Sequence, residues 1–217
     1  MVINFFLTRH GETQWNKTGK FQGQFDSPLT EKGRLQAHSI AAQLKNKDIH
    51  LIVSSTLPRA KKTAEICQTT LQLPHELTPA LIERNFGSWQ GKYIEEVKLD
   101  NNYQAIFHQV NTFAPPNGES GIDCAVRFKQ ALIDIVRTYE KDFKKTNNIL
   151  VVSHGDILRC FLSAMVENFS DEKAVNTQKK SFDNGCILQV SYDTKEKKFT
   201  LTSTLDITNP SPDKVMT

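Results

Sequence analysis

The sequence has no apolar run long enough to cross a membrane, no internal repeat, no low-complexity tract and no clustered cysteines. Its N-terminal apolar stretch, Val2 to Leu7, is interrupted by Asn4 and closed by Arg9. That is too short and too broken for a signal peptide or for a membrane span, which needs about 20 apolar residues. The four cysteines, Cys67, Cys124, Cys160 and Cys186, lie far apart, which excludes a metal knuckle or a redox pair and fits reduced, buried thiols in a cytoplasm. Charge of one sign is lacking too, since 27 Lys and Arg face 24 Asp and Glu, a surplus of +3. So even a balance gives no electrostatic reason to expect nucleic acid or a membrane surface as partner. No motif speaks to oligomeric state.

What is present is a chain of 217 residues, 38% hydrophobic, enough for one core and one domain over 1–217. Val2 to Leu7 reads as a buried strand that runs into Arg9-His10-Gly11-Glu12-Thr13, where glycine permits a sharp turn. Thr30 caps a helix whose first turn holds Glu31 and whose apolar stripe is Leu35, Ile40 and Leu44. Ile49 to Val53 is a second strand, leading through Ser54 and Ser55 to Arg59 and a helix with Ala60, Ala64, Cys67 and Leu71 on one face. Pro74 and Pro79 flank a short extended piece, and the run Ala80-Leu81-Ile82 ends at Glu83. Tyr103, Ile106, Phe107 and Val110 mark a small amphipathic helix in a cap insertion spanning about 91–118.

Beyond the break at Pro115-Pro116-Asn117-Gly118, Ile122 to Tyr139 form one long helix. Ile149 to Val152 is a third strong strand, ending at Ser153-His154-Gly155-Asp156 and followed by a helix through Met165. Cys186 to Tyr192 and Phe199 to Thr204 form a closing hairpin. This alternation predicts an α/β fold, a three-layer α/β/α sandwich with a mostly parallel central sheet, an antiparallel edge and a small helical cap.

Ligands of such sheets bind at the carboxyl ends of the strands. Arg9, His10, Arg59, Glu83 and His154 all follow strand-like runs, so parallel strands bring them to one crevice. Two guanidiniums, two imidazoles and a carboxylate make an anion pocket with a nucleophile and a proton source. The natural anion is a phosphoryl group, because arginine offers permanent charge and paired donors, and phosphoryl transfer depends on positioning and charge stabilisation. His10 is the nucleophile if one ring nitrogen is tied to a backbone carbonyl, which the turn at Gly11 suits. His154 opens a helix whose N-terminal amides favour an anion, and it serves as a further phosphate ligand, preferably protonated. Glu83 is the general acid and then the base for water, roles that need burial to lift its pKa toward neutrality.

These segments resemble the histidine phosphatase superfamily, also called phosphoglycerate mutase-like, over nearly the whole chain. The resemblance rests on Leu7-Thr8-Arg9-His10-Gly11-Glu12-Thr13 with Trp15-Asn16, on Gln22-Gly23, and on Asp26-Ser27-Pro28-Leu29-Thr30. It continues in Ser54-Ser55-Thr56-Leu57-Pro58-Arg59-Ala60, in Glu83-Arg84-Asn85-Phe86-Gly87 with Trp89 and Gly91, in Gly118-Glu119-Ser120, and in Ser153-His154-Gly155. It implies a phosphohistidine on His10, Glu83 as proton donor, and Arg9, Arg59, His154 and Asn16 as phosphate ligands. It implies that no metal and no cofactor is needed, with a small phosphomonoester as substrate and inorganic phosphate as product. Gln22, Gly23, Arg84 and Gly155 lie within or beside these motifs and are candidate substrate-binding residues.

The chain departs from the cofactor-dependent mutases, which hold paired arginines after the acid motif. From Gly91 to Gly118 it has no arginine, only Lys92 and Lys98. Water is therefore the expected acceptor. The alternatives are a mutase primed by a bisphosphorylated compound, or a non-catalytic protein that binds phosphorylated ligands. Tyr93, Tyr103, Phe107 and His108 in the cap favour a small or partly apolar leaving group. Glu12 and Asp156 are placed to tune the histidines, Trp15 and Trp89 to pack, and Arg84 to pair at the surface or to line the pocket.

Overall fold

The computed structural model describes residues 1–107, 109–110, 112–139, 146–167, 169 and 182–205. A seven-stranded sheet runs in the order β3-β2-β4-β1-β6-β7-β5. Its strands are β1 (Val2–Arg9), β2 (Ile49–Ser55), β3 (His75–Thr78), β4 (Thr146–Ser153), β5 (Val166–Glu167), β6 (Ile187–Asp193) and β7 (Lys198–Leu205). β1, β2, β3 and β4 pair in parallel, while β6 runs antiparallel to both β1 and β7. The closing hairpin is thus continued outward by the two-residue β5, parallel to β7.

Helices cover both faces: α1 (Gln14–Thr18), α2 (Glu31–Leu44), α3 (Pro58–Leu71), α4 (Ile94–Val97), α5 (Tyr103–Phe107), α6 (Gly121–Tyr139) and α7 (Gly155–Met165). The central strands are apolar on both sides because each side meets a helical layer. Ile3, Phe5 and Leu7 of β1 join Ile149 and Val151 of β4 against Phe128 and Leu132 of α6 and Phe161 of α7. Phe6, Leu150 and Val152 point the other way, against Ile40 and Leu44 of α2 and Ala60, Ala64 and Cys67 of α3. No helix among the described residues is long and apolar enough to span a membrane.

Local chemistry explains several boundaries. Thr30 accepts a hydrogen bond from the Gly33 amide at 3.0 Å and so starts α2. The buried face of α2 is Gly33, Ala37, Ile40, Ala41 and Leu44, and Leu35 is only half-buried. The small residues at its start let α2 press on the loop after β1. A Cβ at Gly33 would lie 2.1 Å from the Glu12 carbonyl oxygen, and one at Gly11 would lie 2.1 Å from the Gly33 oxygen. Gly33→Ala improves helix propensity by up to about 1 kcal/mol. The clash is with backbone, so the expected net effect is a loss of about 1–3 kcal/mol. Chemical denaturation checks it; unchanged or raised stability would contradict the close approach.

Three elements differ from the sequence expectation. Glu83 does not end a strand: Pro79–Leu81 is a 3-10 turn, started by the Thr78 hydroxyl accepting from the Ala80 amide at 3.3 Å. The cap holds two short helices, α4 and α5, and Val110 lies beyond them against the main core. The five-residue α1, unexpected from apolar periodicity, is held by a capping box between Thr13 and Asn16. Phe21, Phe86, Trp89, Val97, Tyr103 and Ile106 form a third apolar cluster that attaches α4 and α5, with Trp89 Nε1 donating to Asp100 at 3.0 Å.

Candidate active site

Adjacency of β2, β4 and β1 brings the site together. Arg9 stands beside Ser153 in the β1–β4 register, and the His10 amide donates to the Ser153 carbonyl at 3.0 Å. The two loops therefore leave the sheet side by side, and the His10 and His154 rings meet edge to face with centroids 5.2 Å apart. Arg59 enters from the first turn of α3, after β2.

His10 is 2% exposed, and its Nδ1 lies 2.7 Å from its neighbour's carbonyl oxygen, on Gly11. A carbonyl only accepts, so Nδ1 carries the proton and Nε2 keeps its lone pair. Arg59 Nε donates to that Nε2 at 3.1 Å. Burial, then the charges of Arg59 and Arg9, lower the His10 pKa well below its ordinary value, so the ring is neutral near pH 7. His154, fully buried, is lowered in the same way, by burial first and then by Arg59, His10 and Arg9. Its Nε2 is 2.8 Å from Ser55 Oγ, and its Nδ1 is buried without a hydrogen-bond partner.

The cations are held by oxygens that leave some donors over. Arg9 Nη1 donates to the Phe182 carbonyl at 2.8 Å, while its Nε is buried and unpartnered. A Cβ on Gly155 would stand 3.1 Å from that Nε, so Gly155 makes room for the guanidinium. Arg59 donates to the carbonyls of Phe25 at 2.7 Å and Gly23 at 2.6 Å, and pairs with Asp26 at 3.0 Å. Gly23 thus contributes its carbonyl to the arginine. Asn16 Oδ1 accepts from Thr13 and from Asn184, and Gln22 Oε1 accepts from the Thr13 and Ser27 hydroxyls. The group that each side chain can offer the cavity is therefore its amide nitrogen.

Glu83 is 7% exposed and accepts from the amides of Asp156 at 3.2 Å and Ile157 at 2.9 Å. Two amides of the first turn of α7, which the sequence suggested for phosphate, are thus taken by this carboxyl. Burial, then the charge of Asp156, raises the Glu83 pKa, against the Arg84 amide, Arg59 and the Ile157 amide, which lower it. Asp156 faces Glu83 and two arginines, Arg84 at 3.3 Å and Arg159 at 2.7 Å, rather than tuning the histidines. Glu12 turns away as well, to Thr30 and Lys32.

Arg84 does not line the cavity. Fully buried, it donates to the carbonyls of Glu119 at 2.9 Å and Ile106 at 3.0 Å and pairs with Asp156. Its guanidinium ties the cap to the segment before α6 and to α7, so the expectation that it binds substrate gives way to an anchoring position.

The cavity has a volume of about 530 Å³. Arg9, His10, Arg59 and Glu83 face it, as do Asn16, Gln22, Gly23 and Gly155. Phe21, Phe86, Ile94, Phe107 and Phe182 give it an apolar wall, and Lys20 and Arg159 add two cations. Of the cap aromatics, only Phe107 lines it; Tyr103 is buried beneath, Tyr93 is exposed, and His108 lies outside the described residues. Asn184 was not legible beforehand: it donates to the His10 carbonyl at 3.0 Å from a segment with no apolar pattern.

An α/β sheet that brings Arg9, His10, Arg59 and the buried carboxyl of Glu83 to one anion pocket, with His154 fully buried against the His10 ring and outside the cavity lining, defines an enzyme of phosphoryl transfer. Residues 5–204 match the model of the histidine phosphatase superfamily (branch 1), and the chain belongs to that family. It is 37% identical over 180 residues, 81% of this chain and 74% of the other, to a metal-independent phosphoserine phosphatase of Arabidopsis thaliana. It is 34% identical over 167 residues, 76% of this chain and 75% of the other, to a probable phosphoglycerate mutase of Escherichia fergusonii. Among solved structures, a mycobacterial glucosyl-3-phosphoglycerate phosphatase superposes with a TM-score of 0.78 at 26% identity, covering 97% of this chain and 100% of that one. A putative α-ribazole-5'-P phosphatase of Escherichia coli gives 0.70 at 29% identity, over 94% and 96% of the two chains. The chain is a phosphomonoesterase of this family.

Proposed function

We propose that the chain hydrolyses a small phosphomonoester in two covalent steps through a phosphohistidine at His10 Nε2. The observation that carries this reading is the 2.7 Å contact from His10 Nδ1 to the Gly11 carbonyl, which leaves Nε2 as the lone pair within the cationic pocket. In the first step Nε2 forms a bond to phosphorus, the ester P–O bond breaks, and Glu83 delivers its proton to the departing oxygen. In the second, Glu83 takes a proton from water, the water oxygen bonds to phosphorus, and the P–N bond breaks to release inorganic phosphate.

Arg59 Nε, which donates to Nε2, passes to a phosphate oxygen before Nε2 attacks, because the lone pair it occupies is the nucleophile. Arg9 Nε and the amide nitrogens of Asn16 and Gln22 supply the remaining donors from the cavity wall, and His154, its Nδ1 unpartnered, backs the pocket from against the His10 ring. Phosphate offsets the arginine charges that lower the His154 pKa, and so favours its protonated form. Permanent charge from Arg9 and Arg59 takes the part that a metal has in other phosphatases.

We assign 1–217 to one catalytic domain in which the segment of about 91–118 selects the leaving group. Lys92 and Lys98 in it are both exposed, and Lys98 is paired with Glu95 at 2.8 Å. Neither is placed to hold a second phosphate, so water is the acceptor and mutase chemistry the minor reading. The assembled nucleophile and acid argue against a purely binding role. Four free, buried cysteines suit a reducing cytoplasm.

The test is hydrolysis of p-nitrophenyl phosphate with and without EDTA at mildly acidic and neutral pH, with alkaline quenching to trap phosphoryl-enzyme. The expected result is equal turnover in both conditions and a base-stable, acid-labile phosphoryl group on the protein. Turnover that disappears with the chelator would overturn the mechanism.

A further inference from the structure

Among the described residues, two cations facing the cavity outside the catalytic pair Arg9 and His10 are matched by carboxylates, and Lys20 is not. Arg59 has Asp26 at 3.0 Å, and Arg159 has Asp156 at 2.7 Å. Lys20 lines the same cavity, half-buried, and among the described residues no carboxylate reaches ion-pair distance of its ammonium. Its Nζ lies instead over two aromatic faces, 4.7 Å from the ring centroid of Tyr93 and 5.5 Å from that of Trp15. Cation–π contacts hold a charge in place without neutralising it.

The backbone fixes this arrangement. Lys20 and Tyr93 form an isolated antiparallel bridge, flanked by the bonds of Phe21 N to Lys92 O at 2.9 Å and Ile94 N to Gly19 O at 2.8 Å. The ammonium therefore sits where the loop after α1 meets the cap. The apolar wall formed by Phe21, Phe86, Ile94 and Phe107 shares that cavity with the phosphate pocket. A ligand that fills the cavity therefore meets the catalytic cations, the apolar wall and the Lys20 ammonium.

Resting on the hydrolytic reading above, we propose that Lys20 receives a carboxylate on the leaving group, making small carboxylated phosphomonoesters the substrate class. One point charge suits a monoanion. A second phosphate would call for paired cations, and Arg159 is committed to Asp156. The aromatic faces of Tyr93 and Trp15 keep Nζ from folding onto surface carboxylates, so that the charge is presented before substrate arrives.

The experiment compares substrates that differ only in that group: 3-phosphoglycerate against glycerol 3-phosphate, and O-phospho-L-serine against its methyl ester. Wild type should show a higher kcat/KM for the carboxylated member of a pair. In Lys20→Gln that ratio should fall about tenfold or more, the size of one charge-assisted hydrogen bond. Lys20→Arg should retain most of the ratio, and Tyr93→Leu, which removes one aromatic face, should lose part of it, mainly through KM. Thermal unfolding establishes that each variant is folded. A wild type with no preference, or a Lys20→Gln ratio within twofold of wild type, overturns the proposal while leaving the hydrolytic reading in place. Failure of wild type to turn over any of these esters and p-nitrophenyl phosphate would remove both.

Discussion

Replacing His10 by alanine is expected to lower phosphatase turnover by at least about 10⁴-fold and to abolish the trapped phosphoryl-enzyme, because the covalent route has no other nucleophile. The second imidazole cannot take over. His154 Nε2 is engaged with Ser55 Oγ at 2.8 Å, and the ring stands behind His10, with its centroid 5.2 Å away. The variant should fold, since His10 contributes one side-chain hydrogen bond to its neighbour and another from Arg59, and no apolar core contact is lost. Alanine leaves a ring-sized space beside Arg59. Added imidazole should enter it and restore part of the turnover, releasing phosphoimidazole in place of phosphoryl-enzyme. Steady-state kinetics with and without imidazole, and acid-labile phosphate bound to protein, are the measurements. A His10→Ala variant that keeps turnover within tenfold of wild type would reject His10 as the group that is phosphorylated.

Legibility of the site followed from how local each signal was. Arg9, His10 and His154 could be placed because each ends an apolar run that is hidden on both faces of the sheet, and β1 and β4 are direct neighbours. Thr30 could be read as a cap because its partner, the Gly33 amide, is three residues away. Glu83 is legible in its chemistry but not in its element, because Ala80-Leu81-Ile82 has the composition of a strand and the 3-10 turn depends on Pro79 and Thr78. Arg84 is the reverse case: adjacency to Glu83 suggested the pocket, whereas its partners Ile106, Glu119 and Asp156 are between 22 and 72 residues away. Lys20 and Asn184 were invisible for the same reason. Their positions depend on a bridge to Tyr93 and on a bond to the His10 carbonyl, neither of which leaves a periodic trace.

Glu83→Gln should reduce kcat for an alkyl phosphate by about 10²–10⁴-fold, the usual contribution of a positioned acid and base. The substitution is nearly isosteric, and a carboxamide oxygen in the place of Oε1 would still accept from the amides of Ile157 and Arg84, while the longer bond from the Asp156 amide to Oε2 is lost, a cost of about 1–3 kcal/mol that thermal unfolding registers. The stronger readout is pH. The free enzyme is competent with His10 neutral and Glu83 protonated. Burial, with Arg59 and Arg9, lowers the His10 pKa well below 6.5, which extends the acidic side of the kcat/KM profile downward. Burial and Asp156 raise the Glu83 pKa above 4.5, so activity falls as pH rises through that raised value. A carboxamide does not titrate, and the alkaline limb assigned to Glu83 should disappear from the variant's profile. Leaving groups should respond unequally as well. p-Nitrophenolate departs without a proton, so its release should be spared relative to an alkoxide, and phosphoryl-enzyme should accumulate because the carboxamide cannot take a proton from the attacking water. A variant that keeps the wild-type alkaline limb, and loses activity equally on aryl and alkyl esters, would assign the proton transfer to another group and leave Glu83 as a support for the first turn of α7.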